Sequence, residues 1–203
     1  MVMRSRLFVA AVALDGLAAL AGATFLVPAL PTDGAHHAAV EAAEVPDGPL
    51  VAADAPGVVR DGARVVFEGA PFTGRLEATA GDGSRVVTDY VGGVRHGDER
   101  AWTADGRPVA HRVFRDGRRE GLHTGWWPDG SIRSLARFAA DRHDGQALRW
   151  HANGQLAQAS SYVDGHEAGR QELWASGGTL RANYVVADGR RYGLVGAKPC
   201  ATP

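Results

Sequence analysis

The sequence predicts an all-β protein, an antiparallel meander of about five 24-residue β-hairpins in residues 61–193. Three observations predict this fold: aromatic residues recur about every 24 positions, glycines recur at two fixed offsets from them, and tryptophans recur at a third. Glycine accounts for 27 of 203 residues, well above the average of about 7%. Turn-forming and aromatic residues that recur at one period indicate a repeat architecture.

The repeat is defined by an aromatic column: Phe67, Tyr90, Phe114, Phe138, Tyr162 and Tyr184. Seven residues after the first five of these stand Gly74, Gly97, Gly121, Gly145 and Gly169. Sixteen residues after the same five stand Gly83, Gly106, Gly130, Gly154 and Gly178. Tryptophans follow four of them by twelve residues, at Trp102, Trp126, Trp150 and Trp174, and Pro108, Ile132, Leu156 and Leu180 follow by eighteen.

Each unit has the pattern of a β-hairpin. Every second residue from 132 to 138 is apolar or small. A period of two is typical of a β-strand. The hairpin turn has three residues and ends in glycine, which adopts the left-handed conformation of such a loop at least cost. This turn predicts Trp126 directly opposite Ile132, and Trp150 directly opposite Leu156, on one face.

The return turns between hairpins carry pairs that suit positive φ: Gly92-Gly93, Asp116-Gly117, Asp164-Gly165 and Asp188-Gly189. Asp141-Arg142 departs from this composition, so we expect the third return turn to differ. The last unit is two residues shorter between Leu180 and Tyr184. Because a two-residue deletion preserves the alternation of side chains, Tyr184 should stay on its original face.

The tryptophans alternate with aliphatic residues of the intervening strands, and we predict this ladder to be the core that neighbouring units share. The predicted repeat core is Trp102, Trp126, Trp150, Trp174, Phe114, Phe138, Tyr162, Ile132, Leu156 and Leu180. An alternative is that the tryptophan column is exposed and stacks on sugar rings.

Residues 1–30 have the pattern of an export signal. Arg4 and Arg6 form a basic start, residues 7–14 are apolar, and small residues suited to cleavage follow. The stretch 7–30 is also long enough for a membrane anchor, although Asp15 would be costly at its centre. Residues 31–60 follow as an acidic Ala/Pro/Gly linker. We therefore expect the protein in the cell envelope, either periplasmic or secreted, or anchored at its N-terminus.

The pattern from Tyr162 to Leu180, aromatic-x-x-Gly-x-x-x-Gly-x-x-x-x-Trp-x-x-x-Gly-x-Leu, resembles the bacterial variant of the MORN repeat. The resemblance covers about residues 61–193 and includes a lead strand from Val65 to Gly69, followed by Pro71-Phe72-Thr73-Gly74. It implies an elongated, twisted single-layer sheet of hairpins with an interaction or membrane-proximal role. Proteins built from this variant are often labelled antitoxin-like or membrane-binding.

No constellation in the sequence predicts catalysis. The six histidines of the array occupy six different positions in the unit, so they form no ladder of metal ligands: His96, His111, His123, His143, His151 and His166. Acidic residues lie mostly in turns, where Asp serves the backbone, and nucleophile-elbow and phosphate-loop patterns are missing. With a net charge of -1, the chain lacks the basic stripe of nucleic-acid binding. We predict no catalytic residues, metal, cofactor or nucleic-acid partner.

Trp127 is the most informative candidate for partner binding. It follows Trp126, so it points to the opposite face, where a large aromatic is a candidate contact residue. Leu135 and Leu173 also occupy positions out of pattern and are predicted to join it. The alternative is that the sheet curls or dimerises and covers this face.

Cys200 is the only cysteine and lies in the tail 194–203. In an oxidising envelope it would stay free, be capped by a small thiol, or pair between chains. It is therefore a candidate redox or disulfide site, through which the chain would form a homodimer.

Together these patterns predict a non-catalytic repeat scaffold of the cell envelope that binds a protein partner or the membrane surface. One alternative is a surface module that binds glycans or cell wall. Another is an antitoxin-like protein that neutralises a partner, which would require residence in the cytoplasm.

Overall fold

The structure of the protein is a computed structural model that describes residues 48–194. Every regular element in this range is a β-strand, which confirms the all-β prediction. The predicted export signal at 1–30, residues 31–47 of the predicted linker, and Cys200 lie outside the described residues.

The strands follow one another along the chain as β1 (Leu50–Ala52), β2 (Val58–Asp61), β3 (Arg64–Phe67), β4 (Ala70–Pro71), β5 (Gly74–Thr79), β6 (Arg85–Val91), β7 (Val94–Trp102), β8 (Pro108–Arg115), β9 (Arg118–Trp126), β10 (Ile132–Ala139), β11 (Arg142–Trp150), β12 (Leu156–Val163), β13 (His166–Trp174), β14 (Leu180–Ala187) and β15 (Arg190–Leu194). The main sheet has the order β1-β5-β6-β7-β8-β9-β10-β11-β12-β13-β14-β15, and a small sheet has the order β2-β3-β4. Strand β1 pairs parallel with β5, whereas β5 to β15 form the predicted antiparallel meander.

The hairpin turns have the predicted conformation and pairing. Their last residues, Gly106, Gly130, Gly154 and Gly178, have φ of 83°, 87°, 80° and 82°. Trp126 lies opposite Ile132, and Trp150 lies opposite Leu156. One residue further, Ser134 rather than Arg133 lies opposite Gly125, so the strand after the turn contains a β-bulge.

This bulge decides which side chains share a face. In β9, Gly121 lies opposite Phe138 and His123 lies opposite Ala136, and side chains alternate along an unbulged strand. Trp126 stands five residues after Gly121, so it points to the face opposite Phe138. We call the face of Phe138 and its equivalents in the aromatic column the aromatic face, and the face of Trp126 and its equivalents the tryptophan face.

The buried core lies mainly on the aromatic face, which differs from the single ladder that the sequence predicts. Phe114 and Phe138 are 4% and 6% exposed, whereas Leu180 is 40% exposed and the four tryptophans are only half-buried. Phe114, Phe138 and Tyr162 lie on the aromatic face, whereas Trp102, Trp126, Trp150, Trp174, Ile132, Leu156 and Leu180 lie on the tryptophan face. The extra residue of each bulge is the physical reason, because it breaks the alternation between positions 132 and 138.

Two further expectations concern the face of Tyr184 in the last unit and the conformation of the third return turn. Tyr184 lies opposite Gln171 and is 7% exposed, so it stays on the aromatic face as predicted. The prediction for the third return turn is wrong. Ala140 and Asp141 have φ of 47° and 71°, close to the 49° and 82° of the preceding Asp-Gly turn, so the same conformation forms without glycine.

Hydrogen bonds between return turns join successive hairpins. In the return turns up to 164–165, the second residue donates its backbone N–H to the carbonyl of a residue in the preceding unit, with Gly117 to Arg95 at 2.8 Å and Gly165 to His143 at 2.8 Å. The same contact starts the series at Gly93, whose N–H donates to the Phe72 carbonyl at 2.7 Å. Each of these turns thus fastens its hairpin to the preceding unit.

The small sheet packs on the aromatic face at the start of the array. Its Val65 forms a buried cluster with Phe72, Leu76 and Tyr90. Strand β1 and all but the last residue of β2 lie within the range 31–60 that the sequence predicts as a linker, so the structure differs from that prediction over residues 48–60. These strands have only three and four residues, which is too short for a period of two to stand out.

Candidate functional site

Trp127 is half-buried beside the turn between β9 and β10. Its Nε1 donates to the backbone carbonyl of Trp150 at 3.3 Å, and the guanidinium of Arg133 lies 5.7 Å from its ring centre. His151 stands 24 positions later and makes the same contact with the carbonyl of Trp174, at 3.0 Å. Trp127 therefore joins one hairpin to the next, and its role as an anchor for a partner stays a prediction.

Leu135 and Leu173, which the sequence predicts to join Trp127, lie on opposite faces. Residues directly opposite each other across β11 and β12 place Leu135 on the face of Glu172. Leu173 follows Glu172 in an extended strand, so it points to the other face. The structure therefore does not bring the three predicted contact residues together on one surface.

An exposed apolar patch lies on the last two strands instead. Val185, Tyr192 and Leu194 are 41%, 55% and 49% exposed. Val185 lies directly opposite Tyr192, and Leu194 follows Tyr192 by two positions, so all three share the tryptophan face. We call these three residues the C-terminal patch. Apolar side chains that cluster in this way on an exposed surface mark an interaction site.

The C-terminal patch adjoins a buried charge. Arg170 lies opposite Val185 and is 3.5 Å from Oε1 of Glu172. Glu172 is 6% exposed, and its Oε2 is buried without a hydrogen bond to the described part of the protein. An unsatisfied buried carboxylate oxygen is costly.

Strand β15 forms one edge of the main sheet. All five of its residues are exposed, and among residues 48–194 it pairs with β14 alone. An edge strand carries a row of outward N–H and C=O groups that can pair with another strand. On the aromatic face, the guanidinium of Arg191 forms an ion pair with the carboxylate of Glu167 at 3.0 Å.

Sequence reasoning missed this surface because it concentrated on columns that recur in every unit. The signal is nevertheless present, because Val185 and Tyr192 stand at equal distances from the two-residue turn Asp188-Gly189. Counting outward from a two-residue turn pairs them on one face. Because Val185 directly follows Tyr184 in the strand, both residues of this pair lie on the face opposite the aromatic column.

The aromatic face holds a continuous stack of rings. His123 lies 4.6 Å from Phe138, and His143 lies 4.3 Å from Phe138 and 4.9 Å from Tyr162. Burial lowers the pKa of both histidines, and the positive charge of Arg119 lowers that of His143 further. These imidazoles are therefore packed as neutral rings, and Nδ1 of His143 is buried without a hydrogen-bond partner among residues 48–194.

The tryptophan face carries an ionic network on β6 to β8. The carboxylate of Asp98 contacts Arg100 and lies 2.8 Å from Nε2 of His111. Asp89 accepts a hydrogen bond from the Asp98 N–H at 2.9 Å, and burial, with the nearby charge of Asp98, raises the pKa of Asp89. The network cross-links three strands. Its two carboxylates differ in their surroundings, because Asp89 is buried whereas Asp98 contacts Arg100 and His111.

Residues 48–194 include no helix of the length and apolarity needed to cross a membrane. Within the same range, no three side chains of His, Cys, Asp or Glu converge as they would around a metal ion. The sequence matches no protein-family model, and no curated protein matches it.

Proposed function

We propose that the protein is a non-catalytic binding scaffold of the cell envelope that takes up an extended segment of a protein partner along β15. The C-terminal patch beside an open sheet edge carries this proposal. A strand added to β15 would gain main-chain hydrogen bonds, and its alternate side chains would cover Tyr192 and Leu194. Apolar residues at alternate positions of the partner segment would match this surface.

The scaffold role is supported by the architecture of the array. Hairpins of one period, fastened to one another through the return turns up to 164–165, hold the terminal edge on a continuous sheet. The hairpin period also supports a relationship to the bacterial MORN variant, which we propose on the sequence pattern. The pattern of an export signal in residues 1–30 supports residence in the envelope, and fractionation of native cells would test that part separately.

Site-specific photo-crosslinking tests the proposed edge. A photoreactive phenylalanine analogue replaces Tyr192 in the full chain, and the chain is irradiated in its native cells. We expect an adduct with a second protein, and we expect Leu194→Glu in the same chain to abolish it, because a buried charge would oppose docking. The matched control carries the analogue at Val163, which is 62% exposed on the same face but far along the sheet from β15.

The outcome at the two positions decides the proposal. Adducts of similar yield from positions 163 and 192 would show unspecific contact and would contradict it. An adduct made only of two copies of this chain would also contradict it, because β15 would then serve self-association. A partner adduct at position 192 that Leu194→Glu removes and Val163→Glu leaves unchanged would support it.

A further inference from the structure

A cleft opens between the two sheets at the start of the array. Its volume is about 350 Å³, and it lies between the turn from β2 to β3 and the aromatic face of β5 to β7. This volume is within the range of sites that bind small molecules. The cleft is independent of the C-terminal patch, which lies at the other end of the strand order.

The walls of the cleft are held in place before any ligand arrives. The Val65 N–H donates to the Gly93 carbonyl at 2.8 Å, and the Gly93 N–H donates to the Phe72 carbonyl at 2.7 Å. A Cβ on Gly93 would lie 2.7 Å from the Val65 carbonyl oxygen, so only glycine allows this approach. A site with fixed walls loses little conformational entropy on binding.

The floor of the cleft is apolar. Val65 and Leu76 are 2% and 3% exposed, and Val86 and Ala78 line the cleft beside them. A ligand that fits this floor must carry an apolar body, because polar groups placed there would lose their hydrogen bonds to water.

The charges that line the cleft are predominantly positive. Arg60, Arg64 and Arg95 line it together with a single acid, Glu99. Glu99 is already neutralised, because Arg112 lies 2.6 Å from its Oε1 and Arg95 lies 3.7 Å from its Oε2. Arg60 lies opposite Val65 and so faces the main sheet, whereas Arg64 lies opposite Asp61 and points to the other face of its hairpin. Arg60 forms no ion pair with the described part of the chain, so its guanidinium group remains for an anion.

A tyrosine hydroxyl is also available at the cleft. Tyr90 lines the cleft, and the residue is only 6% exposed. Its hydroxyl makes no hydrogen bond within residues 48–194 and is accessible to solvent. An acceptor atom of a bound ligand would take the place of water there.

We propose that this cleft binds a small organic acid, with its carboxylate or phosphate on the guanidinium of Arg60 and its apolar body on Leu76 and Val86. The guanidinium fork matches the oxygens of either anion. The Tyr90 hydroxyl donates to the ligand and fixes its orientation.

Calorimetric titration of the full chain tests this site with four probes that share a phenyl ring: benzoate, phenyl phosphate, benzylamine and benzyl alcohol. We expect one or both acids to bind and the amine and alcohol to bind at least tenfold more weakly. The two acids distinguish a carboxylate ligand from a phosphate ligand. Arg60→Ala should weaken binding of the acid about tenfold, because a charged donor is lost, whereas Arg64→Ala should leave binding unchanged.

Tyr90→Phe should weaken binding about threefold, and it retains the ring that packs 6.2 Å from Phe72. The matched control is Arg115→Ala, an exposed arginine on the tryptophan face that should leave binding unchanged. Equal binding of benzylamine and benzoate would overturn the proposal, as would full affinity in the Arg60→Ala variant. Absence of binding by both acids at about 10 mM would overturn it as well.

Discussion

At the scale of the residue, Ala140 is the clearest case of conformational strain in the array. The equivalent position in the other return turns is Gly92, Asp116, Asp164 or Asp188, types that tolerate positive φ. Alanine lacks a side chain that could hydrogen-bond locally, and a left-handed conformation costs it about 1–2 kcal/mol. The turn forms nevertheless, because hairpin pairing on both sides determines it.

Ala140→Gly is expected to raise the free energy of unfolding by about 1 kcal/mol, because glycine adopts φ of 47° without strain. The backbone N–H of residue 140, which donates to Glu120 at 3.1 Å, is retained in this variant. Urea denaturation measures the change. The neighbouring Ala139→Gly serves as control and should lower stability by about 0.5–1 kcal/mol, since residue 139 is in an extended strand. A loss of stability in Ala140→Gly would contradict the strain argument.

A second residue-scale prediction concerns Trp127. Trp127→Ala should lower the free energy of unfolding by about 1–3 kcal/mol, because it removes both the hydrogen bond to the Trp150 carbonyl and the contact with Arg133. Trp127→His should recover part of this loss, since His151 makes the equivalent bond. Denaturant unfolding of both variants gives the comparison. Equal stability of the alanine variant and the parent chain would leave Trp127 free for the role in partner binding that the sequence predicts.

At the scale of the element, spacing alone predicts the hairpins, their turns and the partners of the tryptophans. It missed the β-bulge, because period-two counting assumes an unbroken strand. The signal was available in the offsets: Gly121 and Trp126 are five residues apart, an odd number, so they must face opposite ways. The cleft was missed because the sequence pattern assigns Phe67 to the first repeat, whereas β3 pairs with β2 and β4 in a separate sheet.

The stacked histidines make an element-scale prediction about pH. The pKa values of His123 and His143 are lower in the folded protein than the ordinary value of about 6.5. The unfolded chain therefore binds more protons below that value, so stability is fully present above about pH 6.5 and falls as the pH drops through it.

His143→Phe is expected to reduce the loss of folding stability at low pH. The ring remains between Phe138 and Tyr162, whereas the titratable nitrogen disappears. Urea midpoints measured at about pH 8 and about pH 5.5 test the effect. His166→Phe is the control, since His166 is exposed and should leave the pH dependence unchanged. An equally steep decline in His143→Phe would refute the assignment to the stack.

At the scale of the whole molecule, the described chain combines a repeated part and a unique part. The meander of β5 to β15 follows from the period. The small sheet depends on contacts among Val65, Phe72 and Tyr90, which no repeat pattern specifies. Both surfaces that we associate with binding lie where the repetition ends, at the β15 edge and at the cleft. Residues that depart from a repeat are therefore better guides to function here than residues that keep it.

The hydrogen bonds from the return turns to the preceding units have a mechanical consequence. Because the return turns from 92–93 to 164–165 make the same contact with the preceding unit, we expect a pulling force applied to the C-terminal end to load one such junction at a time. Optical-tweezer traces should then show a staircase, in which each step releases one 24-residue unit, roughly 80 Å of extended chain. Under load, the array would therefore lengthen in a series of steps of similar size.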